Sequence, residues 1–139
     1  MKVLTLSLLP VRLAVCRLPP EAPLPEVSPE IPFVCLTRTG EEISMVLPEE
    51  TAPAGSRVEW GWRAFKVLGP LDFDMTGVLA SISVPLAMAG VSVFVLSSYD
   101  TDYFLVRERD LDKAVEALSG IPAGNVTWKT PYRIVLERE

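Results

Sequence analysis

The sequence contains no histidine, and this absence restricts the chemistry available to the protein. Histidine is the commonest general base, the usual base of a nucleophilic triad and the commonest metal ligand. Basic residues are also few, with 13 Lys and Arg against 18 Asp and Glu, a net charge of −5 and a pI of about 4.8. Nucleic-acid binding needs clustered basic side chains, and no basic stripe is present. We therefore expect no nucleic-acid partner, no metal centre, no cofactor and no catalytic residue.

Cysteine is equally scarce, since Cys16 and Cys35 are the two in the chain. Two cysteines are too few for a disulfide framework. Each lies in an apolar, strand-like run, which is typical of a small buried side chain. A bridge between the two, or a reactive thiol, remains the alternative.

Long uninterrupted apolar runs are missing as well, so we expect no membrane association. Lys2 and the apolar residues after it resemble the start of an export signal, but Pro10 and Arg12 interrupt the run too early. The sequence therefore predicts a cytoplasmic protein. Apolar residues make up 49% of the chain, enough for a hydrophobic core without metal or disulfide support.

The second half of the chain predicts one compact βαββαβ unit over residues 62–136. A strand at 62–68 ends at Gly69-Pro70 and precedes a helix with apolar residues at helical spacing, which contains Pro85 and ends at Gly90. Strands at 91–96 and 103–106 follow. Asp110 opens a second helix, and 132–136 supplies the last strand. This order is the ferredoxin-like, α+β arrangement.

The first half is rich in predicted strands and poor in helix. Strands are expected at 4–9 and 11–18, and a hairpin at 33–47 turns at Thr39-Gly40. The proline-rich segment 19–32 excludes a long helix. The hairpin at 36–46 aligns weakly with the hairpin at 96–106, which favours two related units. We predict an N-terminal unit over residues 1–58 and a C-terminal unit over residues 59–139.

All six aspartates lie in the second half, and four of them flank predicted strand ends. Asp72 and Asp74 follow the first strand of the βαββαβ unit, and Asp100 and Asp102 follow the second. These two strands run in parallel, so the loop 70–77 and the turn 97–102 should face one region. The helix start near Gly77 would attract a carboxylate, and the aspartates would attract an ammonium or guanidinium group. An amino acid carries both charges.

Simpler interpretations of these residues stay open. Asp74 is also a good helix cap, Asp100 and Asp102 are common turn residues, and Gly77 suits close packing. Carboxylate pairs also bind divalent cations or act as acid and base, but no EF-hand spacing and no nucleophile motif is present.

Three segments carry a specific family resemblance: residues 69–80, residues 85–94 and residues 97–103. With Leu9-Pro10, residues 14–20 and Thr37-Arg38, they make the chain similar to a family of small bacterial tandem ACT-domain proteins. The same ACT subclass includes the eukaryotic cytosolic arginine sensors, and the regulatory region of aspartate kinase is a more distant relation. The resemblance implies ferredoxin-like ACT units in tandem, the first of them helix-poor.

The resemblance also implies where a ligand would bind. In the sensor relatives, the ligand lies between the loop that opens the first helix and the second-strand hairpin, against a neighbouring unit. Carried over by motif, the ligand-binding residues would be Asp72, Met75, Gly77, Val78, Ser98, Tyr99, Thr101 and Asp102. Asp102 is the strongest candidate for holding a positive ligand group.

Three functional hypotheses follow for this sequence. The first is a non-catalytic regulatory or sensor protein that binds an amino acid or a similar small zwitterion and assembles as a homo-oligomer. The alternative is a ligand-free module for protein–protein interaction and assembly. The third hypothesis is an enzyme that uses Asp100 and Asp102, which the absence of histidine disfavours.

Overall fold

The computed structural model describes residues 2–68, 77–120 and 132–138. Its strands and helices follow in one list: β1 Lys2–Leu8, β2 Leu13–Leu18, β3 Cys35–Arg38, β4 Ile43–Pro48, β5 Arg57–Val67, α1 Val78–Met88, β6 Phe94–Ser97, β7 Asp102–Arg107, α2 Leu111–Ser119 and β8 Tyr132–Arg138. From β5 onward this order is strand, helix, strand, strand, helix, strand, as the sequence predicts. No helix in the described ranges is long and apolar enough to cross a membrane.

By its internal contacts the chain divides into two units. Residues 1–10 and 63–139 form one, and residues 11–62 form the other. This division differs from the predicted boundary at 58/59, because the N-terminal strand β1 lies in the same unit as the C-terminal half. We call the first the helical unit and the second the strand unit.

In the helical unit the strands are ordered β6-β7-β5-β1-β8. The strand β1 pairs antiparallel with β5, with Leu6 opposite Val67, and parallel with β8, with Leu6 opposite Leu136. It therefore lies between two strands of the βαββαβ series. The leucines at alternate positions of β1 face the core, which explains why this N-terminal strand belongs here.

One face of this sheet is covered by α1 and α2, and we call it the helix-covered face. Strand residues at alternate positions pack there against apolar helix residues. The buried members of this core are Leu4, Leu6, Leu8, Phe65, Val67, Phe104, Val106 and Tyr132 from the strands, with Val78, Ile82, Leu86, Val91, Leu111, Ala114 and Leu118.

The helix α1 continues through Pro85 and ends in a hydrogen-bonded cap. Gly90 has a φ of 74°, and its N–H donates to the Ala87 carbonyl oxygen at 3.0 Å, while the Val91 N–H donates to that of Leu86 at 2.9 Å. This is the Schellman pattern, which requires a left-handed residue and so favours glycine. The prediction that the helix ends at Gly90 is confirmed. Because Val91 is used in the cap, β6 begins at Phe94 and not at Val91 as predicted.

The helix α2 begins after Asp110, which occupies the predicted N-cap position. The prediction that Asp110 opens this helix is confirmed, although its side chain makes no capping hydrogen bond. The carboxylate forms an ion pair with Lys113 instead, with 4.0 Å between the oxygen and Nζ.

The strand unit, residues 11–62, is described throughout and contains no α-helix. Its strands are ordered β3-β4-β2-β5, all neighbours antiparallel, and the β3–β4 hairpin is the one predicted. One face buries Ala14, Cys16, Ile43, Met45 and Leu47. Ala22 and Val27 of the proline-rich segment pack against these residues, so this segment covers part of this face.

Candidate functional site

The turn between β6 and β7 brings a serine and an aspartate together. Ser97 is the last residue of β6 and lies opposite Asp102, the first residue of β7. The Ser97 hydroxyl donates a hydrogen bond to the Asp102 carboxylate at 2.6 Å. Asp102 alternates with the core residues Phe104 and Val106 along β7, so its side chain is on the helix-covered face. The carboxylate is half-buried and fixed by its neighbour.

The segment between these two residues is a tight turn, and we call residues 97–102 the acidic turn. The Ser98 N–H donates to the Thr101 carbonyl oxygen at 2.8 Å, and the Thr101 N–H donates to the Ser98 hydroxyl oxygen at 3.3 Å. Tyr99 and Asp100 lie at the exposed tip. The backbone of the turn is therefore closed by its own residues.

Thr101 attaches the acidic turn to the end of β5. Its side chain is buried, and its hydroxyl donates to the carbonyl oxygen of Val67 at 2.5 Å. Val67 is the last residue of β5. The acidic turn therefore lies at the edge of the sheet where β5 and β6 both end, and we call this edge the carboxyl edge.

The helix α1 opens with Gly77, which has a φ of 82° and no side chain to cap the helix. The first helical hydrogen bond runs from the Ser81 N–H to the Gly77 carbonyl oxygen at 2.9 Å. The N–H groups of residues 78–80 consequently have no acceptor within the helix. These groups carry the positive end of the helix dipole, roughly half an elementary charge, which favours an anion.

The chain connectivity determines at which edge α1 begins. The helix follows β5, which ends at the carboxyl edge, and precedes β6, which ends at the same edge. It must therefore run back across the helix-covered face, about 16 Å for its length at 1.5 Å per residue. Its N-terminus then lies at the carboxyl edge, on the face to which Asp102 points. A carboxylate and an anion-attracting helix start are thus on one edge and one face.

The predicted site residues divide into three groups. Asp72 and Met75 lie outside the described residues. Val78, the first residue of α1, is buried in the core, and the Thr101 hydroxyl donates to the Val67 carbonyl oxygen, so both side chains serve the fold. Gly77 lies at the start of α1, and Ser98, Tyr99 and Asp102 lie on the acidic turn.

Ser97 is part of this arrangement although it is not among the predicted ligand residues. The signal for it was present in the sequence, because a hairpin that turns at residues 98–101 places residue 97 opposite residue 102. The Thr101–Val67 contact had no such signal, since a threonine in a turn does not specify which distant carbonyl it reaches.

Elsewhere, the two cysteines do not form a second site. In the register of the strand unit, Cys16 lies opposite Met45, and Cys35 lies opposite Val46, the next residue of the same strand. The two thiols therefore point to opposite faces of the sheet, and both are free. Burial raises the pKa of the Cys16 thiol, which a hydrogen bond with Ser56 partly offsets, and burial raises the pKa of Cys35. Across the described ranges, no group of three or more cysteine or acidic side chains is arranged to hold a metal ion.

The site lies inside the segment that matches a known domain. Residues 57–120 match the ACT domain. A protein from Agobacterium tumefaciens with a known crystal structure is 33% identical to this chain in sequence. The two structures have a TM-score of 0.80 over 100% of this chain and 97% of that one. The human cytosolic arginine sensor for mTORC1 subunit 1 is 38% identical over 58 residues, which are 41% of this chain and 18% of that protein.

More distant similarity concerns the fold alone. The aspartate kinase of Clostridium acetobutylicum is 13% identical, with a TM-score of 0.56 over 76% of this chain and 32% of that enzyme. Among the curated relatives, the matches span 18% to 61% of the relative's own length. The ACT-type, α+β ferredoxin-like fold predicted from the sequence is confirmed.

Proposed function

Because the chain is an ACT-domain protein of the same subclass as the cytosolic arginine sensors, we propose that it binds a free amino acid. In this proposal the protein is a non-catalytic, cytoplasmic regulator or sensor. The ligand lies at the carboxyl edge of the helical unit, between the start of α1 and the acidic turn. The residues that would contact it are Asp72, Met75, Gly77, Val78, Ser98, Tyr99, Thr101 and Asp102.

The observation that carries this proposal is the orientation of Asp102. In β7 the side chains of Phe104 and Val106 are buried beneath the helices, and Asp102 shares their face. A carboxylate on a helix-covered face is costly to desolvate unless it is hydrogen-bonded or paired. Ser97 supplies one hydrogen bond, and an ammonium group of a ligand would supply a stronger, charge-assisted one.

The opposite wall supports the ligand's carboxylate. The N–H groups at the start of α1 point away from the helix along its axis, and Gly77 lets a ligand approach the backbone closely. An α-ammonium at Asp102 and an α-carboxylate at α1 would fix the backbone of an amino acid in one direction. Val78 and Thr101 would contribute through their backbone atoms, because their side chains serve the fold.

The acidic turn suggests which amino acids to test first. Asp100 places a second carboxylate at the tip of the turn, which favours a ligand with a cationic side chain. Curated relatives from human and rat are named cytosolic arginine sensors, and arginine and lysine are the corresponding first candidates.

The alternative function is ligand-free assembly through the ACT units. The acidic turn would then have only a structural role, which the hydrogen bonds of Thr101 and Ser98 provide. This alternative predicts that no amino acid binds, and that the aspartates of the turn can be replaced without effect on assembly.

Isothermal titration calorimetry against the twenty amino acids separates the two functions. The proposal predicts binding of at least one, with arginine and lysine first. It further predicts that blocking either charged group of that amino acid, as the amide or the N-acetyl derivative, weakens binding at least about tenfold, since each group has its own wall. Heat-silent titrations for all twenty would overturn the proposal and leave the assembly function.

A further inference from the structure

The proline-rich segment 19–32 forms most of the connection between β2 and β3 of the strand unit. These two strands run in the same direction, because each pairs antiparallel with β4, which lies between them. The connection therefore has to cross β4. It crosses on the face that buries Cys16 and Met45, since Ala22 and Val27 of the segment pack against the apolar cluster of that face. The segment is thus a cover on one face of the strand unit.

Few interactions attach the proline-rich segment to this face. Six of its 14 residues are prolines, which have no N–H to donate. Its backbone hydrogen bonds close two turns inside the segment, from the Ala22 N–H to the Pro19 carbonyl oxygen and from the Ile31 N–H to that of Ser28, both at 3.1 Å. Within the strand unit, no hydrogen bond joins the segment to a strand. None of its residues is fully buried, whereas the five buried residues of the cluster are each at most 2% exposed.

The proline-rich segment is much longer than the distance it has to span. At the end of β2, Leu18 lies opposite Ile43, and at the start of β3, Cys35 lies opposite Val46. The two ends are therefore two strand spacings and three residues apart, a distance of roughly 14 Å. An extended segment of 14 residues spans up to about 45 Å. Because of this slack, release of the segment from the face requires no change in the pairing of β2, β3 and β4.

We infer that the proline-rich segment is a displaceable cover, which detaches while the four strands stay paired and thereby exposes the apolar face with Cys16 and Met45. A segment with few apolar contacts and no hydrogen bonds to its neighbours opens locally at a low cost in free energy. Prolines restrict their own backbone and that of the preceding residue to extended conformations. The released segment therefore stays extended and returns to the face with little loss of conformational entropy. The strand unit has a closed state, seen in the structure, and an open state with an accessible thiol.

Two sulfur-containing side chains of the covered face report the opening. Cys16 of β2 lies opposite Met45 of β4, and both side chains are buried in the cluster beneath the cover. Iodoacetamide alkylates an exposed thiol, and hydrogen peroxide oxidises an exposed methionine to the sulfoxide. Cys35 lies opposite Val46, the neighbour of Met45, so its thiol points to the other face of the sheet. Its reaction rate should not depend on the cover, and it is an internal control.

Iodoacetamide labelling of the full wild-type chain in low concentrations of urea tests the inference, with the labelled peptides quantified by mass spectrometry. Local opening exposes little surface, so the labelling rate of Cys16 should change by less than about twofold between zero and about 1 M urea. Labelling through global unfolding would accelerate at least about fivefold over the same range. A Cys16 rate that rises in this way, or a Cys16 thiol that is not labelled in low urea, would overturn the inference.

A pair of variants within the proline-rich segment shows whether this segment controls the access. Val27→Ala removes part of a contact with the cluster, so labelling of Cys16 and oxidation of Met45 should both accelerate about fivefold. Leu24→Ala is the matched control, because Leu24 is 47% exposed, and both rates should change by less than about twofold. The rate at Cys35 should stay the same in both variants. Equal effects of the two variants, or none from Val27→Ala, would contradict the inference, and the wild-type urea series decides it if Val27→Ala disturbs folding.

Discussion

The Thr101 hydroxyl donates a hydrogen bond to the carbonyl oxygen of Val67, and so attaches the acidic turn to the end of β5. The two residues are 34 positions apart in the chain, and the threonine side chain is buried. The contact marks the edge of the sheet at which β5 and β6 both end, and chain connectivity places the start of α1 at this same edge, where Asp102 lies.

Loss of this hydrogen bond should destabilise the helical unit. Thr101→Val keeps the shape of the side chain but leaves the Val67 carbonyl oxygen without this donor in a buried position. We expect the free energy of unfolding in urea to fall by about 1–3 kcal/mol. Thr37→Val, on an exposed position of β3, should change it by less than about 0.5 kcal/mol. Equal effects of the two variants would contradict the assigned role of Thr101.

The placement of β1 within the helical unit predicts a large effect of core mutations in the N-terminal strand. Leu6 is fully buried between β5 and β8, so Leu6→Ala should lower the free energy of unfolding by about 2–5 kcal/mol. Val3 lies on the same strand and is 53% exposed, and Val3→Ala should cost less than about 1 kcal/mol. If the C-terminal half folded independently of β1, hydrogen exchange of α1 and α2 would be unchanged in Leu6→Ala.

Gly77 has a left-handed backbone that an L side chain adopts at a cost. Gly77→Ala should lower the free energy of unfolding by about 1–2 kcal/mol through backbone strain. Gly40→Ala is the control, because Gly40 has no left-handed φ and a Cβ there would meet nothing within 4 Å. That control should be neutral or stabilise the protein by up to about 1 kcal/mol. Thermal unfolding of both variants measures the difference. Equal losses of stability in Gly77→Ala and Gly40→Ala would contradict the strain at Gly77.

The raised pKa values of the two thiols predict slow modification and a pH dependence of known sign. Burial raises the pKa of Cys16 and of Cys35 above the ordinary value of 9.0, so the thiolate fraction near pH 8 is lower than in the unfolded chain. Reaction with iodoacetamide should be at least about tenfold slower in the native protein than in urea. Since the folded state holds these protons more tightly, its stability should fall as the pH rises above 9.0. Native rates equal to those in urea would show that the thiols are not protected.

Much of the fold could be predicted from local patterns, because helix periodicity, turn residues and strand alternation act over short distances. The hairpin of β6 and β7 and the end of α1 at Gly90 are of this kind. The position of β1 could not be predicted, since any apolar strand pairs with several neighbours and the choice depends on the whole sheet. Leu4, Leu6 and Leu8 would suit the core of either unit.

The candidate site, like the fold, could be predicted only where local patterns determine it. The order of the strands and helices places the acidic turn and the start of α1 at one edge of the sheet. The polar residues of 97–102 are typical of a tight turn, so the turn itself could be predicted. The use of Val78 and Thr101 by the fold was not predictable, because their residue types suit both a core and a site. In the structure Val78 is buried in the core, and the Thr101 hydroxyl donates to the Val67 carbonyl oxygen, so both side chains belong to the fold.

Asp102 is the group that we propose holds the ligand's cation, and amino-acid binding should depend on it most. The most direct measurement is the dissociation constant, by calorimetry, of the amino acid that the wild type binds, in Asp102→Ala and in Asp100→Ala. Asp100 is the comparison variant, because its carboxylate lies at the exposed tip of the same turn, where water weakens its attraction to a cationic ligand side chain. We expect at least about a hundredfold weaker binding for Asp102→Ala, because a charge-assisted contact is lost, and less than about tenfold weaker binding for Asp100→Ala. Unchanged binding in Asp102→Ala, in a variant that remains folded, would contradict this role of Asp102.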